Sequence, residues 1–343
     1  MTYIKGKQRM GAPKASTTTA FNLTTVGRNI ETQVDNSRQN SRNNTPVNSP
    51  STNRYSERTV RAPRKDQVDD RQLCIRKGYP TTSYPLLYLY TGVMKNNEHT
   101  QVTLTALRPV RKRALYETFM QWKREVRKRL VKEFDDWKRV DGPFVKYNHY
   151  TWFSGVPALV TEFIEGTGAK EYLEKKSVKY KRRMILKFAR ALRTLHRGNL
   201  SHGSIEPCHF IVDKKGKAKV GGYCFNRMVE EEFEKLYPSE ENRLSARYVA
   251  PEFLESRKTD KHTDVYSFAL LAMELLTGVQ PFASVSKEAS LIGRVRRGEP
   301  PFAEEIAQDD AWQEVLSSCW VKEPSARPSM ERLYKELSKT FKK

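Results

Sequence analysis

The eight-residue stretch HGSIEPCH, residues 202–209, concentrates side chains that could perform acid–base chemistry. Because its pKa lies far above 7, the hydroxyl of Ser204 accepts a proton from another hydroxyl only if a neighbouring group activates it. Glu206 is the only carboxylate in the stretch, so it is the candidate substitute base. Whether the stretch is catalytic depends on the elements that position it and on the charged groups that they bring to it.

The segment before this stretch is typical of β-structure with one helix. The aromatic and β-branched runs YPLLYLYTGVM and TQVTLTALRP flank the polar turn KNNEH and predict a hairpin of strands, and PALVTEFIEG at 157–166 predicts a further strand. In residues 115–134 apolar side chains recur at spacings of three and four, which predicts a helix with one buried face. These side chains are Leu115, Phe119, Trp122, Val126 and Leu130.

The segment after it is predicted to be mostly helical. Apolar residues recur with helical periodicity in YKRRMILKFARALRTLHRG, TDVYSFALLAMELLTG, AWQEVLSSCW and SMERLYKELSKTF. A strand-rich part that precedes a helix-rich part predicts an α+β fold of two lobes with a cleft between them.

The composition predicts one folded domain and one tail. With 343 residues, of which 38% are hydrophobic, the chain can bury the core of one large or two modest domains. Residues 1–74 are rich in Ser, Thr, Asn and Arg and cannot bury enough apolar surface to offset their ordering entropy. We therefore predict a disordered basic tail at 1–74 and a folded domain at 75–343.

The formal net charge of +22 favours anionic partners such as nucleic acid, acidic lipid headgroups or acidic proteins. Cations cluster in RPVRKR at 108–113, KREVRKRLVKEF at 123–134 and KKSVKYKRRM at 175–184. The alternative interpretation is an ordinary solvated face. Convergence of these runs on one surface would favour the binding interpretation.

We expect neither a membrane span, a secretory signal peptide nor N-myristoylation. No run of about 18 apolar residues is present, and the most apolar segment, SFALLAMELLTG, contains Glu274 and predicts a buried helix. The basic N-terminus lacks the apolar core of a signal peptide, and Thr2 stands where myristoylation requires glycine. The four cysteines lie far apart without a C-x-x-C pair, which disfavours a zinc site or a disulfide framework. We expect no transmembrane segment and an intracellular location, cytoplasmic with the nucleus as an alternative.

Five segments, in order, resemble the eukaryotic protein kinase superfamily over roughly residues 80–340. HGSIEPCHFIVD resembles the catalytic loop, AKVGGYCFNR the strand that leads to the D-F-G turn, and RYVAPEFLE the A-P-E segment. TDVYSFALLAMELLTGVQPF resembles the long buried helix, and CWVKEPSARPSM the end of the large lobe. The resemblance, which is strongest to tyrosine-kinase-like or tyrosine kinase groups, implies the bilobal kinase fold. The strand-rich N-lobe, with one helix, would span about 80–163, and the helical C-lobe about 164–343.

The resemblance also implies roles for residues of the scaffold. Glu252 and Arg327 correspond to a buried ion pair, and Asp264 to the buried aspartate that accepts hydrogen bonds from the catalytic-loop backbone. His202 corresponds to the loop histidine that packs into the core, and Glu125 to the helix glutamate that pairs with a strand lysine. These correspondences indicate that the kinase scaffold is kept.

Phosphoryl transfer in this family needs a glycine-rich loop, a lysine, a base and metal ligands. Residues 81–89 stand at the loop position and contain no glycine, and the lysine position falls on Thr105. Ser204 replaces the base aspartate. His209 and Gly222 replace the two magnesium ligands, although magnesium prefers oxygen ligands and Gly222 has no side chain.

The remaining cleft positions offer no replacement. Glu206 stands where many kinases carry a phosphate-contacting lysine, and its charge would repel ATP. Lys95, in the turn before the strand, and Arg108, on the opposite face from the cleft-facing Thr105, are poor substitutes for the strand lysine. Thr161 falls at the gatekeeper position behind the adenine pocket. We therefore expect neither ATP nor magnesium as a cofactor.

These substitutions predict a pseudokinase, a catalytically inactive kinase-like domain that scaffolds or allosterically regulates a protein partner such as an active kinase or its substrate. Two alternatives stay open: an atypical active kinase with rearranged ligands, which would bind ATP with magnesium, and a basic module for nucleic acid or acidic membranes. The acidic segment 227–247 is predicted to dock on a basic partner, to fold back on the basic helix near Glu125 or to form a solvated loop.

Overall fold

The structure, a computed structural model, describes residues 73–75, 82–83, 86–94, 100–108, 116–236, 246–303 and 311–342. All of them fall within one unit of the chain, Val60–Lys343. The predicted disordered tail lies outside the described residues apart from Leu73 and Cys74, which belong to the first strand. Lys95, Leu115 and the cationic residues 109–113 also lie outside them.

The N-terminal lobe is built on an antiparallel sheet with the strand order β1-β3-β4-β6-β5, to which β2 adds by pairing with β3. The strands are β1 Leu73–Ile75, β2 Thr82–Ser83, β3 Leu87–Met94, β4 Gln101–Leu107, β5 Tyr147–Phe153 and β6 Val156–Glu162. The predicted hairpin is confirmed as β3 and β4, and the predicted further strand as β6. Strand β5 was not predicted, because a register shift between Tyr147 and His149 breaks the alternation of its side chains.

One helix, α1, covers the sheet of the N-terminal lobe and spans Tyr116–Lys138. Its predicted buried face is confirmed, since Phe119, Trp122, Val126 and Leu130 are all buried. The same face continues to Phe134, whose ring packs edge-on against Tyr150 of β5 with centroids 5.2 Å apart. This packing fixes both the position and the rotation of α1 against the sheet.

The C-terminal lobe is mainly helical. Its helices are α2 Ala169–Leu173, α3 Val178–Arg197, α4 Phe225–Leu236, α5 Pro251–Ser256, α6 Lys261–Thr277, α7 Glu288–Arg297, α8 Ala311–Ser317 and α9 Met330–Lys342. A small antiparallel sheet of β7 Gly166–Gly168, β8 Phe210–Asp213 and β9 Ala218–Val220 follows the order β7-β8-β9. The four predicted helical segments are confirmed as α3, α6, α8 and α9. A strand-rich lobe with one helix followed by a helical lobe is the predicted α+β architecture.

Helix α6 forms the centre of the C-terminal lobe. It starts at a capping box, in which the Asp260 carboxylate accepts hydrogen bonds from the backbone N–H groups of His262 and Thr263, and it ends at Gly278 with a φ of 81°. The predicted buried helix is confirmed, including the charged Glu274. That carboxylate is 1% exposed and accepts hydrogen bonds from Lys170 and from the Tyr248 hydroxyl.

The ion pair between Glu252 of α5 and Arg327 joins two distant parts of the C-terminal lobe. The Arg327 guanidinium donates to both carboxylate oxygens of Glu252, at 2.6 and 2.8 Å, and its side chain is fully buried. It also donates to the backbone carbonyls of Val321, His262 and Lys322. Both partners therefore satisfy their hydrogen-bonding groups within the protein.

Within the described residues, no helix is both long enough and apolar enough to span a bilayer.

Replacing Arg327 by methionine should lower the free energy of unfolding by about 3–5 kcal/mol, because it leaves Glu252 as a largely desolvated charge without its partner. The measurement is chemical unfolding followed by circular dichroism. Arg332→Met is the matched control, since its 2.7 Å pair with Glu336 is solvent-exposed, and it should cost less than about 1 kcal/mol. Equal losses in the two variants would contradict a special role for the buried pair.

Candidate functional site

A buried carboxylate anchors the loop of residues 202–209. Asp264, near the start of α6, accepts hydrogen bonds from the backbone N–H groups of His202 and Gly203, at 2.6 and 2.8 Å, and from the ring of His196 at 2.8 Å. Burial favours the neutral acid, but the hydrogen bond from His196 and the neighbouring donors hold the pKa of Asp264 below its ordinary value. The loop is therefore held by an ionised carboxylate.

His202 is completely buried within this loop. Burial lowers its pKa to about 3, so its ring is neutral at physiological pH. Its Nε2 lies 3.0 Å from the Gly221 carbonyl, and its Nδ1 accepts a hydrogen bond from the Ser204 backbone N–H at 3.2 Å. These two partners assign the proton to Nε2. His202 thus ties the loop to the chain that follows β9.

The interlobe cleft lies between the sheet of the N-terminal lobe and this loop. It encloses about 730 Å³ including its open mouth. Side chains that line it include Leu89, Thr103, Thr105, Thr161, His209 and Phe225. None of the residues that the structure describes around the cleft is a lysine or an arginine. Its single carboxylate, Glu162, is paired with Lys219 at 2.8 Å.

The structure places Thr105 in the wall of the cleft, as the alternation along β4 predicts. It pairs with Leu89 of β3 and Leu159 of β6, so it lies in the middle of the sheet. Arg108 does not reach the cleft, because its guanidinium lies 5.5 Å from the ring centroid of Tyr88. Thr161 is buried, and its hydroxyl lies within hydrogen-bond distance of the backbone carbonyls of Thr103, at 3.4 Å, and Glu162, at 3.3 Å.

Glu125, which the resemblance aligns with the helix glutamate, lies on the side of α1 that faces away from the cleft. Its carboxylate pairs with Lys128 at 2.8 Å on the exposed side of α1, and its side chain is 37% exposed. The residue that α1 buries at this level is Val126. One residue along a helix is a rotation of about 100°, so the buried face through Trp122 and Leu130 turns Glu125 away from Thr105.

His209 and Gly222 occupy each other's space. A Cβ atom added to Gly222 would meet the ring of His209 at 2.5 Å, and Gly222 has a φ of 69°. The Nδ1 of His209 donates to the Ser204 carbonyl at 2.6 Å, and its Nε2 accepts from the Asn226 amide at 2.9 Å. Burial lowers the pKa of His209, in keeping with a neutral ring. Both ring nitrogens are thus engaged by the protein, and Gly222 offers no side-chain oxygen to a metal.

The residues after Gly222 turn sharply into α4. The Tyr223 ring stacks on Tyr147 of β5 with centroids 4.3 Å apart, and the Tyr147 hydroxyl donates to the Tyr223 carbonyl. Cys224 is buried with a φ of 60°, and burial raises the pKa of its thiol to about 12. This thiol is therefore protonated and carries no nucleophilic function at neutral pH.

Residues 227–236 of the acidic segment form most of helix α4. It folds back on α1, the second of the three predicted outcomes for the acidic segment. The indole N–H of Trp122 donates to the Val229 carbonyl at 3.2 Å, and Arg129 pairs with Glu231 and Glu232 at 3.0 and 2.8 Å. Arg129, four residues after Glu125, thus forms ion pairs with α4 and does not point into the cleft.

The carboxylate nearest to the Ser204 hydroxyl comes from α4. Ser204 is buried, and its hydroxyl donates to Glu230 at 3.4 Å. Glu206 is half-buried, and burial raises the pKa of its carboxyl. The Ser204 hydroxyl therefore donates to Glu230 and not to Glu206, the predicted substitute base.

Asn226 and Glu230 are site residues that the sequence interpretation missed. Both belong to α4, whose buried residues Phe225, Met228, Val229 and Phe233 recur at helical spacings. That periodicity was a usable signal, but the run of glutamates in the same segment left three outcomes open, of which a solvated loop was one.

Two lobes with a cleft between them, and a loop held by a buried aspartate, define a kinase-like protein. A family model described as protein tyrosine and serine/threonine kinase matches residues 90–337. Because this match covers most of the chain, the chain belongs to that family. Glu252 pairs with Arg327, and Asp264 accepts hydrogen bonds from the backbone of the 202–209 loop, which are the contacts that the resemblance implied.

Curated relatives agree with this assignment. Serine/threonine-protein kinase 12 of Arabidopsis thaliana is 27% identical over 190 residues, which are 52% of this chain and 40% of the relative. Retinal guanylyl cyclase 2 of Bos taurus is 29% identical over 203 residues, 55% of this chain and 18% of the relative. A probable serine/threonine-protein kinase, gdt2, of Dictyostelium discoideum is 26% identical over 196 residues, 56% and 12% of the two chains. The chain thus spans less than half the length of each of these relatives.

Replacing Gly222 by aspartate should destabilise the protein by about 1–3 kcal/mol, because the new side chain enters the space of the His209 ring. In a double-mutant cycle, His209→Asn should relieve part of this loss, with a coupling of about 0.5–3 kcal/mol. The measurement is the free energy of unfolding of the two single variants and the double variant.

Gly216→Asp is the control for backbone strain in this cycle. Gly216 has a similar φ of 72°, but an added Cβ would meet nothing closer than 3.8 Å. This variant therefore measures the cost of the left-handed conformation without the clash. Additive losses in the cycle, or an equal loss in Gly216→Asp, would contradict steric exclusion between His209 and Gly222.

Proposed function

We propose that this chain is a kinase-like domain that does not transfer phosphate and that acts by binding a protein partner. The arrangement of His209, Gly222 and Asn226 carries the proposal. In the family the positions of His209 and Gly222 hold the metal ion, whereas here a neutral imidazole fills the space next to a glycine and is hydrogen-bonded on both sides, by the Ser204 carbonyl and the Asn226 amide. The lack of lysine and arginine in the described wall of the cleft supports the same conclusion, because a triphosphate would meet no counter-charge there.

Helix α4 supports a conformational role for the domain. It contacts α1 of the N-terminal lobe through Trp122 and Arg129, and it contacts the 202–209 loop through Ser204 and His209. A partner that binds the docked and undocked states of α4 with different affinity would shift the balance between them. The role that we propose is therefore that of a scaffold or an allosteric regulator with an intracellular partner.

The full chain should show no rise in melting temperature with ATP up to millimolar concentrations, with or without magnesium. A ligand that binds only the native state must raise the melting temperature by mass action. At a ligand concentration of 100 times its Kd, the free energy of unfolding rises by about 2.7 kcal/mol. The measurement is a thermal-shift titration, accompanied by an assay of phosphate transfer from radiolabelled ATP.

Thr161→Phe provides a control for the location of any nucleotide, because the larger side chain fills the inner end of the cleft. A magnesium-dependent shift in the wild-type chain that Thr161→Phe abolishes would place nucleotide in the cleft and would contradict the expectation that the cleft binds none. Phosphate transfer that Glu230→Gln abolishes would support the alternative of an active kinase. In that kinase Glu230 would be the general base in place of the aspartate whose position the neighbouring Ser204 occupies.

A basic surface of the C-terminal lobe favours a second candidate function, the binding of polyanions. We name it the tyrosine–lysine surface and define it by Tyr172, Lys176, Tyr180, Lys187 and the turn 214–217. The Lys176 ammonium lies 5.2 and 5.9 Å from the ring centroids of Tyr172 and Tyr180. The turn brings Gly216 against both tyrosine hydroxyls. The predicted cationic runs 175–184 and 123–134 do not converge on one surface, because the second lies on α1 of the other lobe. The run 175–184 lies instead beside the lysine-rich turn 214–217.

The double variant Lys176→Glu, Lys187→Glu should weaken binding of the full chain to a uridine homopolymer by about tenfold or more at 50 mM salt, because two phosphate contacts are lost and two repulsions are added. Fluorescence anisotropy at several salt concentrations measures it, and the double variant Arg124→Glu, Lys132→Glu on the exposed side of α1 is the matched control. If the control variant weakens RNA binding equally, the affinity for RNA depends on the net charge of the chain and not on the tyrosine–lysine surface. Binding to phosphatidylserine vesicles but not to RNA would identify a membrane surface instead.

A further inference from the structure

The exposed face of α3 carries a row of cations. Its members are Lys179, Arg183, Lys187 and Arg190, and all four are exposed. They follow one another at intervals of four, four and three residues. They therefore lie within about 80° of one another around the helix axis and extend for about 16 Å along it. We call these four residues the α3 cation row. Since Lys187 also belongs to the tyrosine–lysine surface, the row extends that surface along the helix.

Within the described residues, no acidic side chain forms an ion pair with the α3 cation row. The sequence of α3 contains no aspartate or glutamate, and the ion pairs of its surface do not include a member of the row. Exposed cations of other helices do have such partners, as Arg332 has in Glu336 at 2.7 Å. The first three members of the row stand four residues apart, where like charges repel and destabilise a helix. A bound anion would relieve this repulsion.

Carboxylates delimit the row at both ends. Beyond its C-terminal end, Glu331 of α9 pairs with Arg197 at 2.8 Å and lies 3.7 Å from Arg193. Before its N-terminal end, Glu171 and Glu174 are exposed in α2 and at its C-cap. Between these boundaries the exposed positive charge of α3 is left to the solvent or to a ligand.

We propose that the α3 cation row binds the sugar–phosphate backbone of a nucleic acid strand and does not read its bases. Phosphates repeat at a regular interval along a strand. Neighbouring members of the row are about 4.5–6 Å apart along the helix axis, so successive cations can contact successive phosphates. Contacts of lysine and arginine with phosphate give affinity and position the strand, but they carry no sequence information.

A membrane surface is another source of phosphate, and the apolar residues of α3 disfavour it. A helix that lies in a membrane interface inserts an apolar face among the lipids. The apolar face of α3, which includes Met184, Phe188 and Leu192, is buried in the core of the protein. Val178, at the first position of the helix, is 52% exposed, but one side chain does not form an apolar face. A row of charges without an apolar face therefore suits a strand better than a bilayer.

This inference rests on the second candidate function, the binding of polyanions, and names the polyanion and its path. Its failure can be distinguished from the failure of that function, because Arg183 and Arg190 lie outside the tyrosine–lysine surface. If Lys176→Glu, Lys187→Glu weakens homopolymer binding and substitutions of Arg183 and Arg190 do not, a polyanion binds to the tyrosine–lysine surface and not along α3.

The test is the double variant Arg183→Gln, Arg190→Gln of the full chain, measured by fluorescence anisotropy with labelled uridine and adenosine homopolymers at several salt concentrations. We expect binding to weaken by about tenfold or more at 50 mM salt, because two phosphate contacts are lost. The slope of the logarithm of the binding constant against the logarithm of the salt concentration should become shallower by about 1.4, since each contact with a single strand contributes about 0.7. Both homopolymers should lose affinity equally.

Arg124→Gln, Lys132→Gln is the matched control, because it removes the same charge from exposed residues of α1, and it should leave the slope unchanged. Equal effects of the two double variants, an unchanged slope in the α3 variant, or a loss for one homopolymer alone would each overturn the inference. Loss of binding to phosphatidylserine vesicles with unchanged homopolymer binding would also overturn it and would identify a membrane surface.

Two further measurements separate lost contacts from lost folding. The melting temperature of Arg183→Gln, Arg190→Gln should not fall, since the substitutions relieve repulsion between like charges. Arg183→Lys, Arg190→Lys keeps both charges and should keep the slope of the wild-type chain. A slope that falls as far in this variant as in the glutamine variant would contradict a charge-based contact with phosphate.

Discussion

The carboxylate of Asp264 is the interaction on which the rest of the site depends. It is 1% exposed, and it joins α6, α3 through His196 and the 202–209 loop through two backbone N–H groups. A buried carboxylate with these three donors fixes the path of the loop, because each lost donor would leave charge uncompensated. His202, Ser204 and His209 then take their positions from the loop. The scaffold of the family is thus maintained by interactions that take no part in phosphate transfer.

On this scaffold the cleft uses neutral hydrogen bonds where the family uses charges. His202 and His209 are both neutral, and each has one ring nitrogen as donor and the other as acceptor. Asn226 joins this network to α4, and α4 joins it to α1. A polar network in which each member has its partners rigidifies a buried region. The loop, α4 and α1 therefore form one connected unit that spans both lobes.

Much of this fold could be predicted from the sequence, because apolar periodicity marks the elements that bury one face. The strands β3, β4 and β6 and the helices α1, α3, α6, α8 and α9 were predicted in this way. Motif order likewise located Glu252, Arg327, Asp264 and His202. Glu125 failed because a match of residue type near the expected position does not fix the rotation of a helix. That rotation depends on which side chains the sheet accepts, and the sheet accepts Val126.

The site itself was harder to predict, because its new parts lie far apart in sequence. Asn226 and Glu230 gain their roles only when α4 packs against the 202–209 loop, and nothing in their local sequence indicates that contact. The predicted absence of metal ligands rested on residue types alone. The structure adds what those types could not indicate: His209 occupies the volume beside Gly222.

That shared volume also constrains how the sequence can change. A carboxylate at position 222 clashes with the imidazole at 209, while an asparagine at 209 without that carboxylate leaves a void and deprives Asn226 of its acceptor. A protein that changes either residue alone should therefore be less stable than one that changes both. Positions 209 and 222 are an epistatic pair, in which the residue present at one position limits the residues that the other position accepts.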